Sequence, residues 1–210
     1  EGFFYNNLLS CEQNFKLPDS DIKVTVIPLF EIADRAFFDK VAERIASTQG
    51  SNVEIFMDLP LSLFGFRAVL TDKQVESFKR FGVAPVSYLV TQLNNRTANH
   101  QFHKIQDPPL RLVQEQPLLK DILMNPQRIS KLSPQELSQF KAQYRNLQEL
   151  LDIKQIQEII KELEKLKKEG GSKHVIVPMV WNGDKMEDFT DALINQGFAA
   201  YPVTVKGVRK

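Results

Sequence analysis

The feature that most constrains this chain is an alternation of short β-branched runs with amphipathic helical segments between Asp21 and Thr91. Asp21 to Phe30 carries Val24, Val26 and Ile27 in a run too short for a buried helix, and it reads as a strand. Asp34 to Ala46 follows with Phe37, Phe38, Val41 and Ile45 at helical spacing. Gln49-Gly50-Ser51-Asn52 breaks that helix, and Val53 to Met57 is a second apolar strand. Thr71 to Gly82 predicts another helix. Thr71 can cap it, Gln74 holds the capping-box position, Lys79 and Arg80 suit its last turn, and Gly82 can end it. Ala84 to Thr91, entered through Pro85, reads as a strand. The pattern is that of an α/β domain, which specifies a fold class and not a reaction.

The chain returns to the same pattern after Lys173. His174 to Trp181 reads as a strand, and Asp184 with Glu187 forms a capping pattern for a helix bearing Met186, Phe189 and Leu193. Gly197 can stop that helix before a closing strand from Ala199 to Gly207. The two units echo one another: Val26-Ile27-Pro28-Leu29 precedes Asp34 as Ile176-Val177-Pro178-Met179 precedes Asp184. Both aspartates fit helix caps better than acids. A closing unit of two strands and one helix is too small to bury a core alone. Its strands are therefore expected to join those at Val24–Leu29 and Val53–Met57 in one mixed sheet.

Between the units, residues 110–170 form a helical insert. Pro117 and Pro126 divide its first part into short pieces. Ser133-Pro134-Gln135-Glu136 is a helix start with a capping serine, proline at the first helical position and glutamate three residues after the cap. Leu137, Phe140, Tyr144, Leu147 and Leu151 make one apolar stripe. A second helix can begin near Asp152, or the first can run on. Ile153, Ile156, Ile160, Leu163 and Leu166 continue the spacing up to Gly170-Gly171, with charged residues between them. The first stripe reads as a core face. The second, narrower and flanked by charge, reads as a partner surface centred on Ile156, Ile160 and Leu163.

The remaining segments divide the chain further. Residues 1–20 are an apolar arm whose Phe3, Phe4 and Tyr5 either pack on the body or dock into a partner. Residues 21–93 are the opening unit. Asp58 to Phe66 holds Leu61, Leu63, Phe64 and Phe66 around Pro60 and Gly65, either a loop pinned to the core or a patch covered by a partner. Residues 94–109 are polar, end at Pro108-Pro109 and read as a linker; residues 171–210 complete the sheet.

Few chemistries are open to such a chain. Cys11 is its only cysteine, which excludes an internal disulfide, a redox pair and a cysteine-rich zinc site. The glutamate beside it tends to raise a thiol's pKa, which argues against a nucleophile. His100 and His103 have metal-ligand spacing without companion ligands nearby, so neither metal nor cofactor is expected. Asn95-Arg96-Thr97 fits the glycosylation acceptor pattern, relevant only in a eukaryotic secretory protein. There is no Gly-x-Ser-x-Gly elbow and no glycine-rich phosphate loop. A net charge of +1 gives no reason to expect nucleic acid or an anionic membrane. No apolar run approaches the roughly 20 residues of a membrane span. No basic stretch leads into an apolar run, so no signal peptide is expected within these residues; the start at Glu1 leaves room for a targeting segment removed before it.

The segment from Leu70 to Val90 resembles the final helix-strand passage of thioredoxin-like domains. In those domains a helix ends in an aromatic-Gly-aliphatic group and a proline opens the next strand; here the residues are Phe81-Gly82-Val83 and Pro85. The interval from Gly82 to Pro85 is shorter than in that family. Within it, the chain is most similar to the pilus-assembly proteins of F-type conjugative transfer systems, the TraW and TrbC type, which lack a redox cysteine pair. The unit from His174 to Gly207 resembles the start of the TrbC domain. The resemblance implies thioredoxin-like βαβ units sharing a sheet, and a non-enzymatic assembly subunit of a conjugative or type IV secretion apparatus, periplasmic or otherwise exported. It implies protein partners and no catalytic residues. A cytoplasmic interaction protein is the alternative location. Two other functions remain open on the residues alone. One is an enzyme with a pocket at the strand ends near Pro28 and Pro178, using carboxylates and Lys173 or Lys185; the other is a chaperone-like binder of extended clients at Leu61 to Phe66.

Overall fold

The computed structural model describes residues 12–30, 32–48, 52–57, 76, 80–96, 100–104, 115–180 and 183–202. Among the described residues six strands form the main sheet: β1 (Gln13–Lys16), β2 (Ile22–Leu29), β4 (Val53–Met57), β6 (Gln101–Lys104), β7 (Lys173–Val180) and β8 (Ala199–Ala200). Their spatial order is β6-β4-β7-β2-β1-β8. The first four are parallel neighbours, while β1 runs antiparallel to both β2 and β8. The sheet is therefore mixed, and β7 of the closing unit lies between β2 and β4 of the opening unit, as expected from the size of that unit. β3 (Ile32–Asp34) and β5 (Val83–Pro85) pair separately as a short antiparallel ribbon.

Pro28 and Pro178 sit inside parallel strands, where a missing N–H normally costs a ladder bond. The β1 register on β2 ends at Val26, and the β4 register on β7 ends at Ile176. Each proline thus lies beyond the last register pair on one side of its strand.

Alternation along the strands sorts the core into two faces. Val24, Val26, Val175, Val177 and Met179 point to one face, where they bury Ile156, Ile159, Leu163 and Leu166 of the long helix. The same cluster takes in Met186, Phe189 and Leu193 of α5 (Gly183–Asn195). Ile27, Leu29, Val53, Ile55, Met57 and Ile176 point to the other face. There they meet α1 (Arg35–Ala46) and α2 (Ser87–Arg96) through Phe37, Phe38, Val41, Ile45, Leu89 and Leu93. A third cluster stands apart from the sheet. In it Phe140, Leu147 and Leu151 of α4 (Pro134–Glu169) cover Leu119 and Ile122 of α3 (Pro117–Met124), with a 3-10 turn at Pro126–Lys131 alongside.

The helix α4 is one continuous element of 36 residues, so no second helix starts at Asp152. Ser133 accepts from the Glu136 backbone N–H while Glu136 accepts from that of Ser133, which completes the predicted capping box. Gly170 ends the helix at φ +69, a backbone conformation that L side chains rarely adopt.

Several expectations are corrected. The run from Ala84 to Thr91 is not a strand: β5 stops at Pro85 and α2 begins at Ser87. Val86, Leu89 and Leu93 lie at helical spacing against α1, and the aromatic and β-branched content of the segment concealed that period. The supposed linker at 94–109 contains the end of α2 and the edge strand β6, a polar segment without the apolar run that marks a strand. Asp34 occupies the position before α1 but makes no capping hydrogen bond. Asp184 lies inside the first turn of α5 and not ahead of it, so it acts on the helix through its charge. Of the helix expected at Thr71 to Gly82, Glu76 and Arg80 are helical; Thr71 lies outside the described residues.

Candidate functional site

The residues expected to bind a partner divide three ways. Phe3, Phe4, Tyr5, Leu61, Leu63, Phe64 and Phe66 lie outside the described residues. Ile156 and Leu163 are buried in the protein's own core against the sheet, and Ile160 packs on that core. The apolar stripe expected to face a partner along the second half of α4 is covered by the protein's own β2, β7 and α5. Leu150 and Ile153, by contrast, are half exposed on the same helix.

The lysines considered as reacting groups are likewise placed elsewhere. Lys173 opens β7 at the end opposite Pro178 and pairs with the buried Glu54 at 2.5 Å. Lys185 is buried between helices. Its Nζ donates to Asp152 Oδ1 and Gln155 Oε1, both at 2.7 Å, and Gln148 Nε2 donates to the same Asp152 oxygen at 2.9 Å. This closed network ties α4 to α5 and offers no open face to a substrate.

At the carboxyl end of the sheet the β3–β5 ribbon carries exposed apolar residues at its two ends. Asp34 pairs with Val83 and Ile32 with Pro85, while the Arg35 N–H donates to the Gly82 carbonyl at 3.0 Å. Gly82 turns there at φ +72, which directs Phe81 away from the body. Phe81 is 76% exposed, and Phe30 and Ile32 are also exposed. Phe30 nonetheless rests on the buried Phe37, ring centres 5.9 Å apart, at the opposite end of the ribbon from Phe81. Its helical support is rigid: Arg35 lies over the Tyr88 ring, the Tyr88 hydroxyl donates to Asp39 at 3.1 Å, and Arg96 pairs with Asp39 and Glu43. Burial and the Asp39 carboxylate both push the Tyr88 phenol above its ordinary value.

A second constellation lies at the start of the strands on the same face. Thr25 Oγ1 donates to Asn14 Oδ1 at 2.8 Å and stands 2.8 Å from His174 Nε2. Since the threonine proton goes to Asn14, the network assigns the remaining hydrogen to Nε2. Burial, with the nearby charges of Arg44 and Lys23, holds the His174 ring down to about 4. Arg44 in turn is held in a two-point pair by Glu12, at 2.9 and 3.0 Å. The pairing of histidine and hydroxyl looks like an activated nucleophile, but Thr25 is only 1% exposed and its proton is committed to Asn14. The group joins β1, β2, β7 and α1.

Among the described residues no three His, Cys, Asp or Glu side chains gather as a metal site would require. No helix of the described residues is long and apolar enough to cross a membrane. Comparison with protein-family models, curated proteins and solved structures finds no match to the chain. What marks the ribbon surface in sequence is a glycine turn directly after an aromatic residue, at Phe81-Gly82. The Thr25 group had no signal, because its members are dispersed from Glu12 to His174.

Proposed function

We propose that the protein is a non-enzymatic interaction subunit of a larger assembly, and that the ribbon surface of Phe30, Ile32 and Phe81 contacts a protein partner. The observation that carries this reading is Phe81: an aromatic side chain three-quarters exposed on a turn pinned by β3 and α1. Aromatic anchors held on rigid backbone suit the centre of a protein interface. The chemistry of the other polar clusters points the same way, since their donors and acceptors are spent on one another inside the fold.

The finer reading rests on the likeness of Phe81-Gly82-Val83 and Pro85 to thioredoxin-like passages of the TraW and TrbC type. On that likeness we place the protein in an exported, periplasmic position within a conjugative or type IV secretion apparatus.

Phe81→Asp tests the interaction reading. Cross-linked complexes recovered from the native host with the wild-type chain should be lost with the variant, while its melting temperature stays within a few degrees of wild type. Recovery of the same complexes by both proteins would remove the ribbon surface from the proposal.

A further inference from the structure

The helix α4 is enclosed on two flanks and open on a third. On its first half Phe140, Leu147 and Leu151 are covered by α3, and on its second half Ile156, Ile159 and Leu163 are covered by the sheet and α5. Between these flanks Asn146, Leu150, Ile153 and Gln157 are exposed, at spacings of four, three and four residues. At 3.6 residues per turn they fall within about 60° of the helix circumference and form one narrow face. Glu149 borders that face on one side and Lys154 on the other, and both are exposed. Ion pairs within α4 join Lys165 to Glu162 and Glu169, whereas Glu149 and Lys154 enter none with a described residue.

We propose that this face pairs with the same face of a second copy of the chain, the two α4 helices lying parallel and in register. Leu150 and Ile153 then each meet their own counterpart. Asn146 and Gln157 each meet an amide that can donate and accept. Glu149 of one chain lies against Lys154 of the second copy, twice by symmetry. An antiparallel pair returns each flank to its own side and leaves Glu149 and Lys154 apart, so the charges select the parallel register. Leucine followed by isoleucine three residues on favours more than two strands in isolated coils. Here Leu147 and Ile156, which border the face, are buried in the protein's own core, and that leaves room for one partner helix. The flanks are also compatible. The side occupied by α3 on the first half meets the other side of the second copy, where Ser138, Ala142 and Arg145 are exposed. Because the fold already holds α4 as a helix, pairing carries no cost of nucleation. Two apolar side chains per copy make a small interface, so association is weak and depends on concentration.

Sedimentation equilibrium of the full chain up to about 0.5 mM should show its mass rise towards that of two chains. Ile153→Asp should remain monomeric, and at concentrations where the wild type is monomeric the two should share a melting temperature within a few degrees. Glu149→Lys and Lys154→Glu should each weaken the dimer about tenfold, since two contacts change from attraction to repulsion. An equimolar mixture of these two variants should regain the wild-type affinity, because each supplies the charge that the other lacks. In the background Cys11→Ser, Gln157→Cys should form a disulfide-linked dimer on oxidation, and faster than Lys141→Cys, which is exposed away from the face. A wild-type chain that stays monomeric, including one whose α4 serves a different protein, would overturn the proposal. So would a dimer that Ile153→Asp leaves intact, a mixture no tighter than its components, or equal rates of cross-linking at positions 157 and 141.

Discussion

Replacing Lys185 by methionine removes one partner from a charge network that water does not reach. The Lys185 side chain is 3% exposed and that of Asp152 is 10% exposed. Asp152 would keep one hydrogen bond, from Gln148, and Gln155 would lose the donor to its carbonyl oxygen. Leaving a buried carboxylate without its counter-ion costs roughly 3–5 kcal/mol. For a chain of this size that lowers the melting temperature by about ten degrees. The natural pair need not be stabilising overall, because its own desolvation offsets the attraction. The triple replacement Lys185→Met, Asp152→Leu and Gln155→Leu removes the three buried polar groups that pair with one another. It should therefore recover most of the loss, with Gln148 turning to solvent. Urea unfolding of wild type, single and triple variants, followed by circular dichroism, gives the three free energies. A single variant within about 1 kcal/mol of wild type would show that Lys185 is not held as described. A triple variant no better than the single one would show that the contact between α4 and α5 needs the charges themselves.

Three further outcomes follow from the packing and the titration of the fold. Leu163→Ala empties a fully buried position between α4 and the sheet and should cost about 2–5 kcal/mol, whereas Ile153→Ser at a half-exposed position should stay within about 0.5 kcal/mol; equal losses in thermal melts would contradict the assigned helix face. Ser133→Ala breaks the capping box of α4 and should cost about 1 kcal/mol in the same assay, and no change would mean that the helix start contributes nothing to global stability. His174 is held below its unfolded value, so its contribution is complete above pH 6.5 and is lost as the pH falls towards about 4. That loss is about 2 kcal/mol once its partial solvent exposure is discounted, and His174→Gln should flatten the wild-type stability profile between those two values; parallel profiles would count against it.

Much of the α/β frame was legible because it depends on local patterns that survive without tertiary context. Val24 to Leu29, Val53 to Met57 and His174 to Val180 are apolar runs bounded by breakers, and all three are central strands. Their common sheet was legible from size alone, since the closing unit could not bury its own strands. β6 was not legible, because Gln101–Lys104 contains a single large apolar residue. Ala84 to Thr91 failed for the opposite reason, since tyrosine, valine and threonine mimic a strand where α1 imposes a helix.

The face of α4 shows why a stripe read from apolar residues alone can miss by a fraction of a turn. The buried set along its second half is Asp152, Gln155, Ile156, Ile159, Leu163 and Leu166. Two of those positions are polar, so the apolar period appeared to run through Ile153 and Ile160 instead. Ile153 is half exposed and Ile159 is fully buried. What makes Asp152 and Gln155 acceptable in the core is a lysine on a different helix, 33 residues from Asp152 in the chain. No window along α4 contains it. The same holds for Thr25, whose partners Asn14 and His174 lie 11 and 149 residues away and meet only because β1, β2 and β7 are adjacent. Exposure is a property of this kind as well. Phe81 and Phe37 are both aromatic residues at helical positions in the sequence, and only the turn at Gly82 and the contact of α1 with the sheet put the first in water and the second in the core. The exposure of Ile32 at one end of the β3–β5 ribbon and of Phe81 beyond the other is visible only once the two strands have paired. That is why exposed apolar residues were sought along α4, where the residues repeat, and not at the ribbon, where they do not.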